Sequence, residues 1–211
     1  MKVTEVITGL FWLKFRTPRA AAKTFLRVQE RFESPIFRGK IFTVKQVQKW
    51  FRQNFNADYY DSYDGFNVPS DALKPFIQGK FDPLNQAEKK LADMFRDRKG
   101  RYYIVASAHG DNLTLKHELA HGLYYLNAEY RKAVKQILSK INIENVLKFL
   151  EKDGYHSAIC VDEANAYLMC NQDYLKDVGV KLSIPLDTGY KLQLLFDNYF
   201  NPLGRSLPLP S

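Results

Sequence analysis

Cysteine is nearly absent from this chain, which has only Cys160 and Cys170 among its 211 residues. On one helix the two would lie about 15 Å apart along the axis, beyond the reach of a disulfide. A disulfide scaffold is therefore excluded, and reduced thiols in a cytoplasmic protein are expected. Long apolar runs are missing too. Each is shorter than about 18 residues, which leaves no candidate transmembrane helix. No repeat or low-complexity linker divides the chain. The opening MKVTEVITGLFWLKFRTPRAAA has an apolar stretch after Glu5, but Lys14, Arg16 and Arg19 follow it before the small residues. That order is wrong for a signal peptide, and the stretch reads as a β-strand.

What is present describes a globular protein. A hydrophobic share of 45% and a charged share of 26% allow a sizeable core, and 211 residues suit a single domain spanning 1–211. The net charge of +8 is uneven. Residues 1–56 hold twelve Lys or Arg against three acidic residues, whereas 57–211 hold nineteen against twenty. This basic N-terminal part is either a solvated face or a surface for an acidic partner, an acidic membrane or nucleic acid.

Punctuation and periodicity predict mostly helices. Thr17 and Pro18 open one over 18–33, and Thr43 with Gln46 forms a capping box for the next, which carries Val47, Trp50, Phe51 and Phe55. Residues 57–82, rich in Tyr, Asp, Gly and Pro, read as an irregular connector with one helical turn. A helix is expected from Asp82–Pro83 to near Gly100, then a strand at 101–108. Further helices follow at 114–127, around Tyr130 to Ile141, from Asn142 to Gly154, over 158–176 and over 188–200. The Pro-rich segment 201–211 reads as a loose tail.

The chemistry concentrates in TLKHELAHGLYYLN, residues 114–127. His117 and His121 are about 40° apart on a helix, so both imidazoles can address one ion. Leu115, Leu119, Leu123 and Leu126 occupy the opposite side, while Leu113 and Tyr124 flank the histidines, as at the base of a cleft. Asp111, Asn112 or Thr114 can cap the helix. Glu118 lies about 100° around from His117, in position to act on a water rather than to ligate. A third ligand is available in YHSAICVDEANAYLMC, where Glu163 heads a stripe of Tyr167, Cys170 and Tyr174. A carboxylate there, if buried, needs a partner such as a metal ion. His156, and then His109, are alternatives for that place, and Asp162 or Asn165 could orient a ligand histidine. Tyr155 or His156 could donate to a developing oxyanion. The bland alternative is a metal-free helical core.

Over roughly 101–176, HELAH followed by DEANAYLM resembles the gluzincins, zinc metallopeptidases with HExxH on one helix and a glutamate on a second. It is also similar to the ImmA/IrrE group of bacterial metalloproteases. The resemblance implies an α+β, zincin-like fold, mostly helical, with a small mixed sheet beside the HExxH helix. It further implies zinc at His117, His121 and Glu163, water activation by Glu118, a peptide or protein substrate, and a cleft-lining strand YYIVASA that pairs with extended peptide. Two features depart from the pattern: the interval from His121 to Glu163 is long, and Tyr167 stands where many gluzincins have an acidic residue. An inactive zincin-like binding module, docking an acidic partner or nucleic acid through its basic N-terminal part, is the competing expectation.

Overall fold

The structure, a computed structural model, describes residues 2–108 and 112–203. Among them are ten α-helices and a small mixed sheet of four strands, an α+β fold. The strands are β1 (Lys2–Ile7), β2 (Leu10–Phe15), β3 (Gly65–Pro69) and β4 (Tyr103–Ala108), in the order β1-β2-β4-β3. β4 runs parallel to β2 and antiparallel to β3, so both its edges are paired. Five of its six residues are buried, as a central strand covered on both faces requires.

The opening apolar stretch is a hairpin rather than one strand. Thr8 and Gly9 turn the chain, Gly9 at φ +81°, and Glu5 Oε1 accepts from the Gly9 N–H at 2.9 Å. The sequence signal was a lone glycine inside an apolar run.

Each half of the chain covers one face of the sheet. On one side lie α1 (Pro18–Glu33), α2 (Val44–Phe55), α3 (Ser70–Ile77) and α4 (Gln86–Phe95), packed on Phe11, Leu13, Phe66, Val68, Ile104 and Ala106. On the other lie α5 (Asn112–Leu126), α6 (Ala128–Leu138), α7 (Glu144–Lys152), α8 (Cys160–Cys170), α9 (Gln172–Asp177) and α10 (Thr188–Phe200), packed around Leu10, Tyr103 and Val105. The alternation of Tyr103 and Val105 with Ile104 and Ala106 sends neighbouring side chains of β4 into opposite cores.

The expected caps of α1 and α2 form: Thr17 accepts from Ala20 N, and Thr43 and Gln46 make the reciprocal box. Three expectations are corrected. Residues 57–82 contain a 3₁₀ turn (Tyr59–Asp61), β3 and α3, because tertiary pairing with β4 orders a segment that its turn residues disguised. The helix expected from Asp82 starts at Gln86, where Asn85 and Glu88 form a stronger box, and ends at Phe95. The segment 158–176 breaks at Asn171 into α8 and α9. Residues 201–203 form a turn after α10, and the remainder of the expected loose tail lies outside the described residues. No helix of the described residues is long and apolar enough to cross a membrane.

Polar groups are buried in the first core. Arg27 Nε donates to Glu88 Oε1 at 2.7 Å, its Nη2 also reaches Glu88, and its Nη1 donates to the Phe81 carbonyl at 3.1 Å. Glu30 is also buried, and desolvation raises its carboxyl from 4.5 to about 7 despite a hydrogen bond with Ser34. A carboxyl whose folded pKa is raised favours the folded state while protonated. Its penalty appears as pH rises from about 4.5 through about 7, reaching on the order of 3 kcal/mol. Glu30→Gln should therefore gain stability relative to the parent at pH 8 but not at pH 4, measured by urea unfolding. An equal difference at both pH values would exclude this account.

Candidate metal centre

α5 is fixed against the sheet at two points. Its leucine stripe works as expected, with Leu115, Leu119 and Leu123 buried in the second core. Gly122 lies so close to β2 that a Cβ there would come 2.3 Å from Leu10 Cδ1. At the edge strand, a Cβ on Gly65 would come 2.2 Å from Glu118 Oε1. Both clashes are too short for ordinary packing, so α5 depends on two absent side chains.

Its opposite side meets α8. His117, His121 and Glu163 bring one ligand atom each to within 4.8 Å of one another, forming a group that could hold a metal ion. Glu163 Oε2 is 3.8 Å from His117 Nε2 and 3.6 Å from His121 Nε2. The side chain of His117 is 13% exposed at the cleft, while His121 at 1% and Glu163 at 3% are buried. The expectation of two histidines turned from the core therefore holds at His117, whereas α8 encloses His121.

Each of the other ring nitrogens has an oxygen close by. His117 Nδ1 is 2.8 Å from Asn171 Oδ1, and since an amide oxygen only accepts, Nδ1 is the donor. His121 Nδ1 is 3.1 Å from Asp162 Oδ1. Each Nε2 thereby faces Glu163, as the atom that a metal ion would take in place of a proton. The helix break at Asn171 puts its side chain beside His117, a residue that sequence reasoning missed by running one helix through 176. Of the two orienting candidates, Asp162 reaches a ligand histidine, while Asn165 donates to Tyr130 Oη at 3.3 Å. Tyr167 packs edge-on against the His117 ring, centroids 4.9 Å apart.

The local electrostatics favour a cation. Burial disfavours protonation of His121, yet Glu163, Asp162 and Glu118 hold its pKa well above the usual range. Burial also disfavours ionisation of Glu163, but His121 and His117 keep its carboxyl below 4.5. His121 Nε2 and Glu118 Oε2 are buried without hydrogen-bond partners. Two buried polar atoms without partners, one on a histidine of the group and one on the residue next to His117, fit a bound divalent ion, which would offset part of their desolvation.

A cleft of about 230 Å³ opens onto His117, Glu118 and Glu163. Glu118 is buried, its carboxyl raised by desolvation, and the Asn67 side chain on β3 hydrogen-bonds it. Asn67 in turn accepts from Tyr103 Oη. Gln29 of α1 accepts from Asn67 N at 3.0 Å and donates to buried Glu33 at 2.7 Å. Neither Asn67 nor Gln29 was foreseen. The available signal was polar residues, Gln29 and Glu33, continuing the apolar face of Ala22 and Leu26 at helical spacing.

Tyr155 lines the cleft and hydrogen-bonds Tyr167. His156 is outside the ligand group: its Nδ1 accepts from Ala158 N at 3.1 Å and its backbone N–H donates to Glu33 O. His109 and Asp111 lie outside the described residues. The peptide-pairing role expected of YYIVASA is corrected, because β2 and β4's other neighbour β3 occupy both its edges. The strand that borders the cleft is β3, through Gly65 and Asn67.

No family model matches the chain, and no curated protein or solved structure matches it. The site therefore stands on its geometry. About one divalent ion per chain is expected by elemental analysis after dialysis. His121→Ala should abolish retention and Glu163→Ala should weaken it strongly. Full retention in both variants would place the ion elsewhere.

Proposed function

We propose that the chain is a zinc-dependent peptidase of gluzincin type, its ligands His117, His121 and Glu163. The observation that carries this reading is the convergence of both Nε2 atoms on Glu163, with Glu118 beside them at a cleft. Two histidines and one carboxylate form a donor set typical of catalytic zinc, with a position left open. When bound, zinc supplies a Lewis acid for a carbonyl and lowers the pKa of water to about 7.

The chain's own residues supply the remainder. Glu118 takes a proton from the attacking water and delivers it to the leaving amine as the C–N bond breaks and a C–O bond forms. Asn67 holds the Glu118 carboxylate from one side, and the bare Cα of Gly65 leaves room for it. Asp162 and Asn171 fix the imidazole orientations. Tyr155, at the cleft wall, is the candidate donor to a developing oxyanion once it exchanges Tyr167 for substrate. His156, occupied as a cap, is the second candidate.

Glu118→Gln keeps size and the amide contact but accepts no proton. It should fold, bind zinc as tightly as the parent, and lose hydrolysis by roughly 10²-fold or more, read by mass spectrometry of peptide mixtures. Unchanged hydrolysis would remove Glu118 as the base. Loss of zinc would make it a ligand.

A second reading is a zincin-like binding module that docks an acidic protein or nucleic acid through residues 1–56. It is favoured by the burial of Glu30 and Glu33, two of the three acidic residues there, which leaves the exposed surface more basic than composition implies. On this reading, retention on heparin should fall steeply with salt as the gain from counterion release shrinks. No retention at about 50 mM salt would leave those residues as a solvated face.

A further inference from the structure

The chain carries 31 Lys and Arg, yet among the described residues none lines the cleft at the metal group. Its charged walls are Asp64, Glu118 and Glu163, with His117 beside them. Asp162 lies behind that lining, close to His121. Asp64 is exposed at the cleft and has no ion-pair partner among the described residues. The apolar part of the wall is tyrosine: Tyr63 on one side, from the segment before β3, and Tyr155, Tyr167 and Tyr174 from the α7–α9 side. Tyr174 is 45% exposed and stacks on Tyr167 with centroids 6.0 Å apart.

The exposed carboxylate of Asp64 therefore has no Lys or Arg side chain beside it among the described lining residues. Fields from the basic surface are screened beyond about 8 Å at physiological salt, so short-range selection belongs to the cleft itself. Tyrosine faces attract cations, guanidinium and ammonium alike, and repel carboxylates. Glu118 Oε2, buried without a partner and lining this space, marks it as built for a ligand rather than as a solvated acidic surface.

Resting on the peptidase reading, we infer that the cleft selects peptides with a lysine or arginine side chain beside the scissile bond. That side chain lies against the tyrosine wall, with Asp64 as its counter-charge. A peptide with glutamate at the same place meets like charge and an aromatic face of the wrong sign.

The test uses the full zinc-loaded chain and three fluorescein-labelled, N-acetylated alanine hexapeptides whose central residue is Lys, Ala or Glu. Anisotropy at about 50 mM salt reads binding. Mass spectrometry of the same samples reads cleavage. The Lys peptide should bind about tenfold more tightly than the Glu peptide, the size of one cation–π contact joined to one charge contact. Asp64→Asn should narrow the ratio, and Asp64→Lys should invert it. Equal binding of the three peptides, or binding of none at millimolar concentration, would overturn the inference. Lys-selective binding without cleavage would uphold it and count against hydrolysis. Cleavage with no preference would do the reverse.

Discussion

How near α5 can approach the sheet decides where every group of the site stands. Gly122 admits Leu10 of β2, and Gly65 of β3 admits the Glu118 carboxylate. Glycine in a helix interior costs about 1 kcal/mol against alanine, so Gly122 gives up helix propensity where the helix approaches Leu10. With α5 seated this low, Glu118 comes within reach of Asn67, and the leucine stripe fills the second core. His117 and His121 are then left facing α8. A helix displaced outward by one methyl group would keep the HELAH motif and lose the alignment.

Two buried charge clusters in the same fold show contrasting solutions. Arg27 and Glu88 satisfy each other through paired hydrogen bonds, and the Phe81 carbonyl takes a further donor. That cluster is electrically closed and structural. Around Glu163 the accounts do not close: carboxylates outnumber the histidines, and buried polar atoms on His121 and Glu118 lack partners. An uncompensated buried group costs stability unless a counter-charge arrives. The difference between closed and open clusters, more than the motif, distinguishes scaffold from site here.

The sequence made the metal group legible because helical geometry is local. The four-residue spacing of His117 and His121 sets their relation without tertiary information, and Glu163 stood out as a carboxylate heading an apolar stripe. Asp162 could be named for the same reason. The groups that escaped notice act across the fold. Asn67 and Gly65 lie on a strand whose turn-rich composition suggested a loop, and only pairing with β4 makes it a strand. Asn171 was hidden inside an apparently continuous helical pattern, and Gln29 and Glu33 inside a helix read from Thr17 and Pro18 at its start. Likewise, the α+β class followed from local periodicity, whereas the parallel β2–β4 pairing, which joins residues about ninety apart, had no local signature.

The site also sits at the seam between the two halves of the chain. Ligands and their orienting partners come from α5, α8 and Asn171, on one face of the sheet. Gln29 and Glu33 come from α1 on the opposite face, while Gly65 and Asn67 lie on the edge strand β3 and share the α5 face with Val105, the register partner of Asn67. An ion that binds only when these elements are assembled stabilises the assembled state by mass action. Its effect extends beyond α5 and α8, because Glu118 ties the ligand helix to β3 through Asn67, and Gln29 ties β3 to α1. Binding of a metal ion at this group would therefore be linked to the cohesion of the two layers. The contacts run from Glu118 to the Asn67 side chain, and from the Asn67 backbone N–H through Gln29 to Glu33, so α5, β3 and α1 meet at this point.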